Sequence, residues 1–462
     1  MRRLPSALPR TEIVVLVVAL VATLLYAMPW REPGWDAAVY WGAGKFLWSV
    51  GSAGLWEPLR PPVMPIVFGL LWRIGVPPLV AFMLVGIVVS LAIYLLLFAI
   101  GRSLGIRRSW AIALATLSPV LLFSSPRGLT EAPAVALALA AILLLHRKRL
   151  FLAGIVAALA FLTKFPMGLV VVALVCAAFI NDRGKRRSIR RSVSALAALG
   201  AGFAIPVLVY LVANMVAYGN PFLPFIEGSR VIAQAGIWLY QQSPLFYVIE
   251  ALRENVLLIL AVPGVVLALR KRTPASLAVS VAAILLLLYF SVTSHKEVRF
   301  LVLFLPFLGL IAAVALDAAA KRWRFLPVLC LLVLLQLMCA GNYWWHYIAP
   351  YDATLHDADA RLSVANGTIL VSNPRPALAI DSRLALMYYP IYNADLSARI
   401  QQMLPDYRAI LYSDCDLVCD PADTACDKAK ASLAAAVNTR AANAIDTFTV
   451  QRQGCTWRYV LS

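Results

Sequence analysis

The sequence predicts an all-α polytopic membrane protein of about eleven transmembrane helices, with a small extracytoplasmic α/β domain at its C-terminal end. Three observations predict it. The 462 residues are 62% hydrophobic and 14% charged, with a mean hydropathy of +0.80, far more apolar than an ordinary soluble chain. Apolar stretches able to cross about 30 Å of hydrocarbon recur through the first three quarters. Between them, Lys and Arg gather in short loops, so the net charge of +18 is addressed to anionic lipid headgroups and not to nucleic acid.

The first stretch, "TEIVVLVVALVATLLYAMPW", follows "MRRLPSALPR". It is long, lacks a small-x-small cleavage site and is followed by further spans, so it reads as a retained helix and not a secretory signal. Six basic clusters mark the cytoplasmic side by the positive-inside rule. They are Arg2, Arg3 and Arg10; Arg102, Arg107 and Arg108; and Arg147, Lys148 and Arg149. Next come Arg183, Lys185, Arg186, Arg187, Arg190 and Arg191; Arg270, Lys271 and Arg272; and Lys321, Arg322 and Arg324. An even number of crossings must join consecutive clusters. Spans then fall at roughly 11–29, 78–100, 109–124, 131–146, 150–163 and 166–181, and at 193–216, 246–269, 274–292, 299–318 and 325–341. The N-terminus is expected inside and the C-terminus outside. Residues 1–341 thus form a transmembrane module, with interfacial helices in a first external loop (30–77), and residues 342–462 an extracytoplasmic domain.

The outside segments carry the charge that composition leaves unexplained, and charge gathered at one membrane face marks a functional site by default. The first loop holds Asp36 at the head of "DAAVYWGAGKFLW", with Tyr40 close behind and Arg60 before a Pro-Pro pair. Asp36 alone suits a helix N-cap, a position compatible with chemistry because it fixes a carboxylate at the helix mouth. Glu131 opens the fourth span, where the helix dipole already favours it, with Arg127 near enough to pair. Lys164, in "FLTKFP", suits snorkelling to headgroups. The fourth loop, 218–246, brings Trp238 and Tyr240 in an aromatic run. The fifth, "SVTSHKEVRF", places His295, Lys296, Glu297 and Arg299 within five positions; by itself it reads as a span-flanking loop.

The tail beyond 341 turns to mixed polar sequence, with short strands expected at 367–371 and 409–413. Cys415, Cys419, Cys426 and Cys455 all lie in it, which fits two disulfides in any of three pairings. Zinc binding at Cys415, Cys419 and Cys426 is the lesser alternative. Cys176, Cys330 and Cys339 fall in spans and read as packing residues. Asn366-Gly367-Thr368 is a glycosylation sequon on the outer side.

Taken together, these segments resemble one family. An early external Asp in D-x-x-x-Y, a Pro-Pro segment and an acidic residue opening span four are its skeleton. "LAFLTKFPMG" is similar to a stretch of lipid-A aminoarabinose transferases and protein O-mannosyltransferases. "HKEVRFLVLFLP" resembles the His-Lys-Glu-x-Arg-Phe signature of dolichyl-phosphate-mannose mannosyltransferases. All are C-type (GT-C) glycosyltransferases, which take sugars from polyprenyl-phosphate carriers; the likeness covers residues 11–341. The chain departs from the pattern at Ala37, where many relatives have Glu, and in having one Pro, Pro306, after the signature.

The resemblance implies an integral-membrane hexosyltransferase that moves a sugar, mannose first among candidates, to a glycan, lipid or protein acceptor outside the cytoplasm. Asp36 would be general base, and Glu131 would orient the acceptor or help hold a divalent cation. Lys164, His295, Lys296 and Arg299 would bind the donor phosphate, and Glu297 would orient those cations or bind metal. Tyr40, Arg60, Arg127, Trp238 and Tyr240 would line the substrate groove. No cofactor is certain beyond a possible divalent metal. The expected setting is a plasma or inner membrane, or the endoplasmic reticulum of a eukaryote. A lipid or sugar transporter is the alternative; its charges should sit near the bilayer midplane, whereas these collect at the outer edge.

Overall fold

The computed structural model describes residues 9–27, 32–183, 189–238, 240–320, 326–365, 367–388, 392–413, 415–452 and 454–461. The expectations on Arg2, Arg3, Lys185, Arg186, Arg187, Lys321, Arg322, Arg324 and Asn366 lie outside them, as do those on the side chains of Arg183, Arg190, Arg191, Trp238 and Cys330. The chain is mostly helical and divides into two compact units. The first comprises Met1–Met28, Phe82–Pro221 and Gln242–Ala349; the second comprises Pro29–Ala81, Phe222–Gln241 and Pro350–Ser462. The first loop and most of the fourth therefore group with the tail, where the sequence had assigned residues 30–77 to the membrane module.

The first unit is a bundle of apolar helices around one hydrophobic core. Small residues let its backbones approach closely, as membrane packing requires. A Cβ on Gly154 would lie 2.2 Å from the Leu199 carbonyl oxygen, and one on Gly202 would lie 2.1 Å from that of Phe151. Only glycine fits where Leu150–Thr163 meets Ile189–Tyr218. Pro274–Val292 starts cleanly because Thr273 and Ser276 form a reciprocal capping box with Pro at the first helical position.

Two of the expected single spans are broken. Ser109–Thr116 and Pro119–Arg127 meet at 72°, and Phe246–Glu254 and Val256–Arg270 at 119°. The breaks satisfy each other. Glu254 accepts hydrogen bonds from Ser118 Oγ at 3.0 Å, Val120 N at 2.9 Å and Trp344 Nε1 at 2.6 Å. Asn255 donates to the Leu114 and Leu117 carbonyls at 2.7 and 3.1 Å, while its side-chain oxygen accepts from Leu257 N. Backbone groups freed inside an apolar core must find such partners.

Among the described residues, Pro78–Ser103, Val193–Tyr218 and Pro274–Val292 are long and apolar enough to cross a membrane singly, and the two bent pairs raise that to five. Glu131–His146, Leu150–Thr163, Phe165–Ile180 and Leu305–Ala319 are apolar but shorter. At 1.5 Å per residue they fall short of a full hydrocarbon core. The architecture is multi-pass, and eleven full-length spans are more than helix lengths show.

The second unit is built on a five-stranded sheet of order β2-β1-β3-β5-β4. The strands are β1 (Ile369–Val371), β2 (Leu384–Leu386), β3 (Ala409–Ser413), β4 (Asp446–Arg452) and β5 (Cys455–Leu461). β1 pairs in parallel with β2 and β3, and β5 runs antiparallel to β3 and β4. Both faces are covered, so alternate residues feed two cores. Ile369, Val371, Leu411 and Tyr459 enter one, together with Val39 and Leu55 of the first loop. Leu370, Ile410, Tyr412 and Val460 enter the other, against the helices Ala394–Met403 and Thr424–Ala442. The disulfides are Cys415–Cys455 and Cys419–Cys426, which leaves no cysteine pair for the zinc alternative.

The first loop folds into Trp35–Trp48 and Val63–Arg73. Residues Ala37 through Lys45 are buried without a break. Its chain is strapped to the tail by residues 54 and 384: Gly54 N donates to the Ser382 carbonyl at 2.9 Å and Leu384 N to that of Gly54 at 2.7 Å. Gly54 has φ +74°, and a Cβ there would strike the Gly42 carbonyl oxygen, so the strap needs glycine. The buried Lys45 ammonium completes the join, bonding the Ile380 carbonyl at 2.7 Å and Asp381 at 2.8 Å.

Candidate active site

Among the described residues, most of the site residues expected from sequence gather in two clusters, one in each unit. In the first unit the hub is Phe300, in the short helical turn Val298–Leu303. His295 lies 5.6 Å from its ring, Arg299 5.4 Å and the Lys164 ammonium 5.0 Å, centre to centre. Glu297 ties the loop together, with Oε1 2.7 Å from His295 Nε2 and 2.8 Å from Arg299 Nη2. The backbone there is fixed by Tyr247, whose hydroxyl accepts from Glu297 N at 3.1 Å and donates to its carbonyl at 3.3 Å.

Lys164 follows the last turn of Leu150–Thr163 in extended backbone. It reaches Glu131, at the start of Glu131–His146, with Nζ–Oε1 2.8 Å. Glu131 is 1% exposed, and its Oε2 accepts no hydrogen bond among the described residues. The loop 293–300, the turn at 164 and the helix start at 131 thus join in one assembly of two cations, an imidazole and two carboxylates around an aromatic ring.

Two expected members stand apart. The Lys296 side chain is buried and its ammonium bonds the Thr293 carbonyl at 2.6 Å. Burial lowers its pKa, so it holds the loop's own backbone and is placed poorly for a phosphate. Arg127 lies over the Phe123 ring at 5.5 Å, and the ion pair of Glu131 is made by Lys164 instead.

In the second unit, Asp36 is not an N-cap. Gly34 holds that position and Asp36 lies in the first turn of Trp35–Trp48. Its Oδ1 is 2.8 Å from Arg60 Nη1, while Arg60 Nε meets Glu57 Oε2 at 2.7 Å. The guanidinium sits 5.4 Å from the Tyr40 ring centre. Burial acts to lower the Arg60 pKa, but Asp36 and Glu57 together overcome it and hold the group above its ordinary value. Glu57, 2% exposed, was missed by sequence reasoning; it meets Arg60 across a non-helical turn in which Arg60 N donates to the Glu57 carbonyl at 3.3 Å. Tyr388, two residues beyond β2, was missed as well; its ring lies 4.9 Å from that of Trp35. Of the fourth-loop aromatics, Trp238 ends the helix Leu223–Trp238 and Tyr240 is half-buried just after it.

These donors do not fit a divalent cation. Among the described residues no three His, Cys, Asp or Glu side chains gather to hold one. Glu297 is shared by an imidazole and a guanidinium, and Glu131 is paired with an ammonium.

Residues 48–363 match the Alg9-like mannosyltransferase family. The chain belongs to that family. As an Alg9-like mannosyltransferase family member it is a membrane glycosyltransferase, which sets the transporter alternative aside. The match includes the whole Phe300 assembly and begins after Asp36. The family member's fold is similar to the crystal structure of ArnT from Cupriavidus metallidurans bound to undecaprenyl phosphate. That likeness has 13% identity and a TM-score of 0.64, over 98% of each chain. It is also similar to the archaeal oligosaccharyltransferase AglB from Archaeoglobus fulgidus, in complex with an inhibitory peptide and a dolichol-phosphate. There the identity is 12% and the TM-score 0.59, over 98% of this chain and 74% of that one. At such identities the likeness is one of fold. No curated protein sequence matches the family member.

Proposed function

We propose that this protein transfers a hexose, mannose in the first instance, from a polyprenyl-phosphate carrier to a hydroxyl of a glycan, lipid or protein acceptor. The observation that carries the reading is the Phe300 assembly. Cleavage of a sugar–phosphate bond leaves extra negative charge on the phosphate, and fixed cations in a partly dehydrated site stabilise such charge far better than water-exposed ones. Arg299 offers a planar fork for phosphate oxygens, Lys164 a compact charge and His295 a further donor. Glu297 and Glu131 hold these cations in place and neutralise them while no donor is bound.

Asp36 acts as general base, accepting the proton of the acceptor hydroxyl as its oxygen attacks the anomeric carbon. Attack opposite the leaving phosphate inverts the anomeric configuration in one step, so no covalent sugar–enzyme intermediate forms. Arg60 orients the carboxylate. The carriers bound by ArnT and AglB in their structures support a polyprenyl-phosphate donor here. Two disulfides in the tail support an extracytoplasmic tail and active site, with the N-terminus inside and up to eleven crossings once the short apolar helices are counted as spans. The test is the lipid and glycan profile of a deletion strain. The reading requires a polyprenyl-phosphate sugar to accumulate together with one truncated glycoconjugate; unchanged carrier lipids would contradict it.

A further inference from the structure

We propose that Glu57 is a positioning residue for the base: through the Arg60 that both carboxylates share, it sets the orientation and the proton affinity of Asp36. This rests on the reading of Asp36 as general base. One guanidinium holds two acids at different nitrogens, Asp36 at Nη1 (2.8 Å) and Glu57 at Nε (2.7 Å). Arginine alone beside Asp36 would stabilise the ionised carboxylate and make it a poor proton acceptor. A second buried carboxylate offsets that positive charge at short range, where the low local dielectric makes the offset large. It also fixes geometry. The guanidinium is planar and its donors are rigidly disposed, so anchoring Nε at Glu57 determines where Nη1 meets Asp36.

The surroundings hold Glu57 itself in place. It lies three residues after Gly54, whose backbone is strapped to Ser382 and Leu384, and it is followed by Pro58. The tail then contributes Tyr388, whose ring lies 4.9 Å from that of Trp35 at a 52° tilt, immediately before Asp36. Burial first, and then the Glu57 carboxylate, push the Tyr388 hydroxyl well above its ordinary pKa. Among the described residues of this unit, the charged and titratable groups coupled to Asp36 or to its Arg60 partner include Glu57, Tyr40 and Tyr388. The tail is a working part of the base's support.

The experiment uses the full-length purified enzyme, polyprenyl-phosphate [3H]mannose as donor and deletion-strain membranes as acceptor, with initial rates followed between about pH 4 and 9. Glu57→Gln should lower kcat by about ten-fold and move the acid limb of kcat down by about one pH unit, with donor KM within about two-fold of wild type. The limb moves down because an uncompensated Arg60 keeps Asp36 ionised to lower pH. Glu57→Asp, which restores the charge on a shorter arm, should return the limb to its wild-type position while kcat stays reduced. A Glu57→Gln enzyme with wild-type kcat and limb would overturn the proposal. So would a loss of kcat with an unmoved limb, which marks packing alone. Should Glu57→Gln not fold, Glu57→Asp carries the test, and wild-type kcat in that variant overturns the proposal. Asp36→Asn, run alongside, separates the two readings: turnover near the wild-type rate in that variant refutes the base itself, independently of Glu57.

Discussion

The Lys164 ammonium lies 2.8 Å from Glu131 Oε1 and 5.0 Å from the Phe300 ring centre, so one cation joins a carboxylate 33 residues back to the charged loop at 293–300. Breaking a buried pair strands the remaining charge. Lys164→Met should cost about 3 kcal/mol of stability and abolish transfer. The double variant Lys164→Met/Glu131→Gln should recover most of the stability but none of the activity. Thermal melting of the solubilised protein with parallel transfer assays checks both; equal recovery of activity would mark the pair as structural only.

Asp36→Asn keeps the size of the side chain and removes its basicity. Turnover should fall by about 10²- to 10⁴-fold, the usual span for a lost general base, while donor binding changes little. Single-turnover transfer and donor titration on one preparation test this. Loss of both together would mean that the substitution disturbs the fold.

The tail should lose stability as pH rises. Asp416 is pushed up to about 6, by burial above all, against the hydrogen bonds it accepts from Asn373 and Ser372. A carboxyl with a raised folded pKa contributes stability that is full below its unfolded pKa, near 4, and is lost as pH climbs through about 6. Asp416→Asn should therefore flatten the stability profile between about pH 4 and 7, by about 2 kcal/mol across it. Melting temperatures of the full chain across that range are the measurement, and an unchanged slope would refute the assignment.

Cys415–Cys455 joins the end of β3 to the start of β5 across 40 residues of sequence. Cross-links of that reach usually contribute about 2–4 kcal/mol. Cys415→Ser/Cys455→Ser, or reductant, should lower the melting temperature by several degrees, with the Cys419–Cys426 variant showing a smaller effect because its loop is shorter. Equal effects would count against the chain-entropy account.

The fifth loop was legible because its four ionisable residues share one short turn, and the sequence signature includes the Phe300 against which His295 and Arg299 lie. Glu131 and Lys164 were each readable as helix-end residues; their pairing was not, since nothing local encodes which distant helix ends meet. The Asp36 cap failed by two residues because Gly34 takes the non-helical position. Tyr388 was invisible: a tail tyrosine reaches the first loop through long-range contacts such as the pairing of Gly54 with Ser382 and Leu384, which nothing local encodes. The tail's cysteines announced two disulfides, but the pairing needed the β3–β5 register. β2 is three residues long, too short for alternation to register. Two spans expected to be continuous are bent, since apolar composition does not show where Ser118 and Asn255 break a helix.

The central claim is that the Phe300 assembly carries the donor phosphate, and binding of undecaprenyl phosphate to the full-length protein tests it most directly. Arg299→Ala should weaken that binding by about 10- to 100-fold, the worth of a charge-assisted contact to phosphate, with melting temperature little changed and Lys296→Met affecting binding much less. Undecaprenyl phosphate bound as tightly by Arg299→Ala as by wild type would contradict the account.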